Sequence, residues 1–334
     1  MGGADVLLTG LPLTRANPWY SGQMGVPGTD TETGLRLHPT GTTFYVDRNF
    51  PGASDQRDGT DPTSPLLTVT AAISKCQPHR GDVIMVGASS AWFYAEGGIG
   101  LPTAEYTLPI VEEVTLDVAG VRLIGASHSA LGNMWTPASN GGTCLTVTAI
   151  DCIVEGFVFS EGQTYTGCNA IYCEWDGITL FGENLTVRNC AFDDTVDIAI
   201  QLEFSWYCVI HNNVFSQCDT CGIYLDPAGS AAAYLDIYNN FFNDCAVAMA
   251  MTGLDNSQIY NNRIYNSNAQ AVAVATNEGL FTTGGSSNMV ANNWFSCALP
   301  AGANGDWDDL NTAAATDAWV GNHCMNGLAV TNPT

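Results

Sequence analysis

The sequence predicts an all-β chain wound into a stack of short parallel rungs, and three observations carry that prediction. An apolar alternation, then Asn or Gly, then an aromatic recurs from about residue 120 onward. A second alternating segment lies between successive copies. No helical apolar period separates the two, as a helix-containing repeat would require.

The copies read Leu185-Thr186-Val187-Arg188-Asn189-Cys190-Ala191-Phe192, Val209-Ile210-His211-Asn212-Asn213-Val214-Phe215 and Ile237-Tyr238-Asn239-Asn240-Phe241-Phe242. Two more are Ile259-Tyr260-Asn261-Asn262-Arg263-Ile264 and Val290-Ala291-Asn292-Asn293-Trp294-Phe295. The first Asn residues step by 23, 27, 22 and 31 positions, and Gly125 and Gly156 stand in the Asn place of two earlier copies. The intervening segments start at Ile171, Ile200, Ile223, Val247 and Val272.

Several short strands per unit suit a chain whose rungs pair above and below at roughly 4.8 Å. Asn tolerates the left-handed bend between strands and can hydrogen-bond along the stack, so an Asn column marks a rung corner. Irregular steps place variable loops at one corner. A two-sheet sandwich is the rival, and it has no need of Asn-Asn at one place in each unit. The count gives about seven rungs, or roughly 34 Å of stack.

The opening segment adds its own elements. Phe44-Tyr45-Val46-Asp47 reads as a strand, Asp58-Gly59-Thr60 as a loop, and Gly81-Asp82-Val83-Ile84-Met85-Val86 as a first rung. Between them a helix is expected over about 65–76, with Ser64 as cap and Pro65 in its first turn. Leu66, Val69 and Ile73 then share one face that covers the open end of the core. Without that cover the last rung would be a bare sheet edge. With the Asn repeats, these pieces resemble the right-handed parallel β-helix proteins of the pectate-lyase-like superfamily. The resemblance spans roughly residues 42–300 and implies a single-stranded right-handed parallel β-helix with an N-terminal capping helix.

Composition limits the function. Thirty-three acidic against nine basic residues leave a net charge of −24, with 46% hydrophobic residues. The apolar content is too high for an acidic disordered chain. So few cations argue against nucleic acid as a partner, and an anionic membrane surface would repel the chain. No apolar run nears the roughly 18 residues of a membrane span. Met1-Gly2-Gly3-Ala4-Asp5 does not read as an export signal. The twelve cysteines read mainly as small buried apolar residues. Cys218-Asp219-Thr220-Cys221 is the one close CxxC pair, with no second pair at zinc spacing.

Candidate site residues follow from the strand alternation. Tyr172, Gln201 and Tyr224 face outward one position after the aligned Ile. Glu174, Glu203 and Asp226 face outward three positions after it, followed by Ala250 and Ala275. Trp175, Phe204 and Trp206 lie beside them. In one reading two carboxylates roughly 5 Å apart next to aromatic platforms form a retaining glycoside-hydrolase site, with Glu174, Glu203 and Asp226 catalytic. In the second, a Ca²⁺ ion is held by carboxylate oxygens across rungs; no other cofactor is expected. In the third, the acids are a solvated face. Asp193, Asp194 and Asp197 form a second acidic cluster in a turn, and His211 reads as an exposed strand residue. The resemblance also implies lyases with an Arg or Lys base and a Ca²⁺-bound acidic substrate. The repeat body offers only Arg122, Arg188 and Arg263 and no Lys, so no lyase motif carries over.

Residues 1–41 are Gly-, Pro- and Thr-rich with anchors such as Leu7, Trp19 and Tyr20, and read as an extended arm. Residues 301–334 read as a C-terminal cap or tail. Together these ends resemble those of bacteriophage tail-spike and head-decoration β-helix proteins. That implies a trimeric structural or adhesive virion protein, made in the host cytoplasm, anchored by residues 1–41 to capsid or tail protein and binding host glycans. The alternative is a secreted or virion-borne polysaccharide-degrading enzyme, a glycoside hydrolase rather than a lyase.

Overall fold

The computed structural model describes residues 41–87, 109–126, 133–160, 166–175, 182–193, 196–225, 232–266, 278–297 and 318–324. Every strand pair in them is parallel, and the strands form three sheets. The chain visits the sheets in turn, so each coil adds one strand to each. Sheet 1 has ten strands, from Thr43–Val46 through Thr186–Arg188 and Asp236–Tyr238 to Ala318–Val320. Sheet 2 has nine, including Ala191–Asp193, Val214–Ser216, Phe241–Asn243 and Arg263–Asn266. Sheet 3 includes Asn169–Cys173, Ile198–Leu202, Cys221–Leu225 and Val247–Asp255. This is a right-handed parallel β-helix, the hand that parallel crossovers take. It excludes the sandwich.

The Asn pair divides the corner's two tasks. The first Asn of each copy, at 189, where Cys190 follows, and at 212, 239, 261 and 292, where a second Asn follows, has φ between 53° and 57°, the left-handed bend between sheets 1 and 2. The second is buried and forms the ladder. Asn240 Oδ1 accepts from the backbone and side-chain nitrogens of Asn213 at 3.0 and 3.1 Å, while its Nδ2 donates to the Ile210 carbonyl at 2.9 Å. Asn262, Asn293 and Asn322 repeat the arrangement. Gly156, with φ of +80°, holds the Asn place an earlier coil, and a Cβ there would lie 2.8 Å from the Gly125 carbonyl oxygen.

On four consecutive coils the aromatic three residues past the left-handed corner points inward. Phe159, Phe192, Phe215 and Phe242 stack in the core at centroid spacings of 5.3, 4.8 and 4.5 Å. Each such burial stabilises by roughly 1.5–3 kcal/mol, and stacking adds about 0.5–1.5 kcal/mol. All ten cysteines whose side chains are described are buried and free.

Four expectations change. Sheet 1 has ten strands rather than seven. The stack continues past residue 300, because Ala318–Val320 and His323–Cys324 pair with Met289–Ala291 and Trp294–Cys297. The segment read as a cap or tail therefore supplies part of another coil. The helix is Val69–Ile73, shorter than 65–76, and its cap is Thr68, whose hydroxyl accepts from Ala71 N, rather than Ser64. Leu66 is held back in a bridge to Val46, and carboxylates from outside the helix complete its start: Asp55 accepts from Thr68 N and Glu112 from Val69 N. Leu66, Val69 and Ile73 are buried as expected. Finally, His211 is only 2% exposed, because Tyr238 on the next rung stacks over it at 4.7 Å.

Candidate functional site

Sheet 3 brings together most of the residues singled out in the sequence. Tyr172, Gln201 and Tyr224 are register partners on consecutive rungs, each half-buried on the outer face. Asn169 Nδ2 donates to Gln201 Oε1 at 3.3 Å. Ala250, expected in the carboxylate column, instead continues this one. The partner of Ile171, Ile200 and Ile223 on the next rung is Met249, two residues beyond Val247. The coil after that is supplied by Glu278–Ser286, whereas Val272 and Ala275 lie outside the described residues.

Glu174 and Glu203 follow paired strand ends on consecutive rungs, Glu174 N bonding to the Val147 carbonyl and Glu203 N to the Cys173 carbonyl. Glu174 is exposed and Glu203 half-buried. The Glu203 carboxylate reaches back one rung, where Oε2 accepts from Trp175 N at 3.2 Å. Asp226, the third expected carboxylate, lies outside the described residues.

The aromatic neighbours form a longer array than the sequence reading proposed. Trp175 stacks on Phe204 at 5.0 Å, and Phe204 lies 5.7 Å from Trp206. Trp206 meets Tyr207 edge-on at 6.5 Å, and Tyr207 stacks on Tyr234 at 4.9 Å with planes 7° apart. Tyr207 and Tyr234 are 48% and 47% exposed. They occupy the corner from sheet 3 into sheet 1, whose left-handed residues on other rungs are Asp151, Asn184, Asn256 and Ser287. Those are residues that tolerate positive φ; tyrosine does so at a cost of about 1–2 kcal/mol. The signal lay in the spacing, since each of these positions is five residues before the left-handed corner of its own repeat.

Chemically, the array joins flat apolar faces to hydrogen-bonding groups: the Glu174 and Glu203 carboxylates and the Gln201 amide. That combination suits a ligand with both C–H faces and hydroxyls. Metal binding finds less support. Among the described residues no three His, Cys, Asp or Glu side chains converge. Asp197 is engaged by the Thr220 hydroxyl, Asp193 is exposed on sheet 2, and Asp194 lies outside the described residues. The CxxC pair is split: Cys221 Sγ donates to the Ile223 carbonyl at 3.1 Å, and Cys218 hydrogen-bonds Cys245 on the next rung. Arg188 and Arg122 turn toward Glu155, at 3.0 and 3.8 Å, on the outer face of sheet 1, away from the Glu174 stripe.

The family described as periplasmic copper-binding protein (NosD) matches residues 127–296, or 170 of the 334 residues. Among solved structures, the chain is similar to a mutant tailspike protein of E. coli bacteriophage HK620 in complex with a hexasaccharide. The identity is 13% and the TM-score 0.44, over 88% of this chain and 64% of that one. It is also similar to an alginate lyase from Paenibacillus sp., at 13% identity and TM-score 0.38, over 77% and 94% of the two chains. A GH136 lacto-N-biosidase from Eubacterium ramulus matches at 11% identity and TM-score 0.37, over 85% and 67%. At these identities the likeness is one of fold. No curated protein sequence matches the chain.

Proposed function

This chain belongs to the family described as periplasmic copper-binding protein (NosD), and on that β-helical frame we propose that it binds glycan along the aromatic ladder from Trp175 to Tyr234. The observation that carries the reading is the exposed, parallel pair Tyr207 and Tyr234 on left-handed backbone. Backbone strain at an exposed aromatic is a feature of sites rather than of solvated faces. Sugar rings stack their C–H faces on such platforms, while Glu174, Glu203 and Gln201 meet the hydroxyls. A net charge of −24 favours neutral over polyanionic glycans at this face.

Among the described residues the donors do not fit copper, since no three His, Cys, Asp or Glu side chains converge. The described cysteines are buried, and His211 lies under Tyr238 with Nδ1 turned to Asn212. Burial pushes the Cys152, Cys190 and Cys208 thiols up to about 12, away from the thiolate that soft metals take.

A hydrolase is the second reading, and the adjacent-rung placement of Glu174 and Glu203 favours it, since rung spacing of roughly 4.8 Å is close to the separation of about 5–5.5 Å in retaining glycosidases. The setting we propose is adhesive, a trimer with residues 1–41 as its anchor to capsid or tail protein on a virion. Cross-linking of those residues in a native assembly tests that setting.

The test of the site is a panel of immobilised neutral polysaccharides. Trp175→Ala is expected to weaken binding about tenfold, the equivalent of ~1.4 kcal/mol of lost stacking. Absence of binding across the panel would sink the reading. Glu203→Gln separates its two forms: lost cleavage with retained binding identifies a hydrolase, and unchanged product-free binding identifies an adhesin.

A further inference from the structure

The corner between sheets 1 and 2 carries a second concave surface, away from the ladder. It is a groove of about 480 Å³ lined by Asn239, Phe241, Asn261, Arg263, Asn292 and Trp294, with the ladder residue Asn240 at its floor. That volume lies within the range of small-ligand sites. Phe241, Arg263 and Trp294 are register partners on three consecutive rungs of sheet 2, so the Arg263 side chain leaves its strand between two aromatic neighbours and shares the groove with them. Phe241 is 39% and Trp294 46% exposed, and His323 extends the column, 5.0 Å from Trp294.

Two further facts give the groove its chemistry. Among the described residues, Arg263 has no carboxylate partner, although the chain carries 33 acidic residues. Arg122 and Arg188 of the same coil body both face Glu155. The first-position amides of Asn239, Asn261 and Asn292 are exposed and make no hydrogen bond among the described residues, whereas Asn240, Asn262 and Asn293 are consumed by the ladder. The groove therefore presents three amides at rung spacing of roughly 4.8 Å, two aromatic faces and one unpaired cation.

We infer that this groove binds a short oligosaccharide bearing a single carboxylate, seated with its carboxylate on Arg263 and sugar faces on Phe241 and Trp294. One guanidinium matches one carboxylate, bidentately where geometry allows. A polyanion would meet the field of the whole chain at −24. The amides suit the hydroxyls of successive sugar rings. This site goes beyond the glycan reading of the ladder and stands or falls without it.

The experiment is calorimetric titration of the full chain with a trisaccharide ending in a hexuronate and with its carboxyl-reduced counterpart. The reduced sugar is expected to bind at least tenfold more weakly. Arg263→Gln should erase that difference, and Trp294→Ala should weaken both sugars about tenfold, with unfolding temperatures unchanged. Tyr234→Ala, which touches only the ladder, should change neither. Equal affinity for the two sugars, a preference that survives Arg263→Gln, or loss of binding in Tyr234→Ala would each overturn the assignment. So would the absence of heat at millimolar sugar.

Discussion

Tyr207 and Tyr234 lie one rung apart, their rings 4.9 Å apart and 7° from parallel, on backbone at φ of +58° and +59°. Asp, Asn and Ser hold the same corner on other coils, so the fold itself does not ask for tyrosine there. Tyr207→Asn removes a strained aromatic and installs a residue suited to the left-handed region. It also loses a half-exposed stack worth about 0.5–1.5 kcal/mol. The two effects offset, and stability is expected to stay within about 1 kcal/mol of the parent while glycan affinity falls tenfold or more. Denaturant unfolding and glycan titration of the same variant check both halves. A collapse of stability with affinity intact would make the tyrosines structural.

Asn239 and Asn240 are adjacent and opposite in role, which yields a paired prediction. Asn239 is exposed at φ of +55°, so Asn239→Gly keeps the bend and should shift stability by less than about 1 kcal/mol. Asn240→Ala leaves Asn213 N without its acceptor, leaves Asn213 Nδ2 with only the Val187 carbonyl, and takes a donor from the Ile210 carbonyl, all in the core. Each unsatisfied group costs about 1–3 kcal/mol, so a loss of at least ~3 kcal/mol is expected from urea midpoints. Equal effects at the two positions would refute the division of labour.

The difference between those neighbours shows what the sequence makes legible. The Asn corner, the two flanking strand groups and the outward column Tyr172, Gln201 and Tyr224 can all be read from alternation and spacing. Sheet 2 is hidden because the bend falls inside the Asn-Asn pattern, so the residues before and after it look like one segment. The slip at Val247 has a related cause. Val247-Ala248-Met249-Ala250-Met251 alternates uniformly, and a register shift of two keeps every side chain on its own face. Alternation therefore cannot detect it; only pairing can. His211 reads as exposed in the sequence yet is buried in the fold, because outward direction does not mean exposure when a ring on the next rung covers it. Thr68 as cap depends on Asp55 and Glu112, which come from other parts of the chain. The tyrosine corner was readable, since its offset of five from the left-handed corner is constant.

Acid groups give the pH dependence an unusual sign. Burial raises the Asp236 carboxyl, and burial followed by Asp236 raises the Tyr260 phenol. An acid raised in the fold holds its proton more tightly there than in the unfolded chain. Its stabilising contribution is therefore full below the ordinary Asp value of about 3.9 and is lost as pH rises through the folded value. Asp47 and Glu112 are raised by burial in the same way. Asp82 opposes them: burial would raise it, but hydrogen bonds from Arg80, Thr42 N and Gln77 N outweigh burial and lower it. Its contribution is present above about 3.9 and lost as pH falls through the depressed value. Asp236→Asn should thus raise the unfolding temperature at pH 7 and flatten the rise between pH 7 and 4. Asp82→Asn should lower it at pH 7. A parent whose stability falls steadily from pH 7 to 5 would contradict the assignment.

Cys218 and Cys245 test the reading of the cysteines as core residues. Their thiols stack on adjacent rungs, and Cys218 is pushed well up by its hydrogen bond to Cys245 and by burial. Thiolate is the reactive form, so buried thiols with raised values are inert. Ten of the twelve cysteines are described as free and buried. A thiol reagent at pH 8 should therefore label no more than two in the native protein and all twelve in guanidinium. Fewer than twelve after unfolding would reveal a disulfide. The column also names its own substitute. Val196 holds the place of Cys218 one rung earlier, as Asp219 N bonds to the Val196 carbonyl and Ala246 N to the Cys218 carbonyl. Cys218→Val should cost under about 1.5 kcal/mol, as apolar swaps of similar volume do. Cys218→Ser places a stronger polar group in the same apolar slot and should cost about 1–3 kcal/mol unless Cys245 satisfies it. The reverse order would mean that the column is a polar network rather than a packed one.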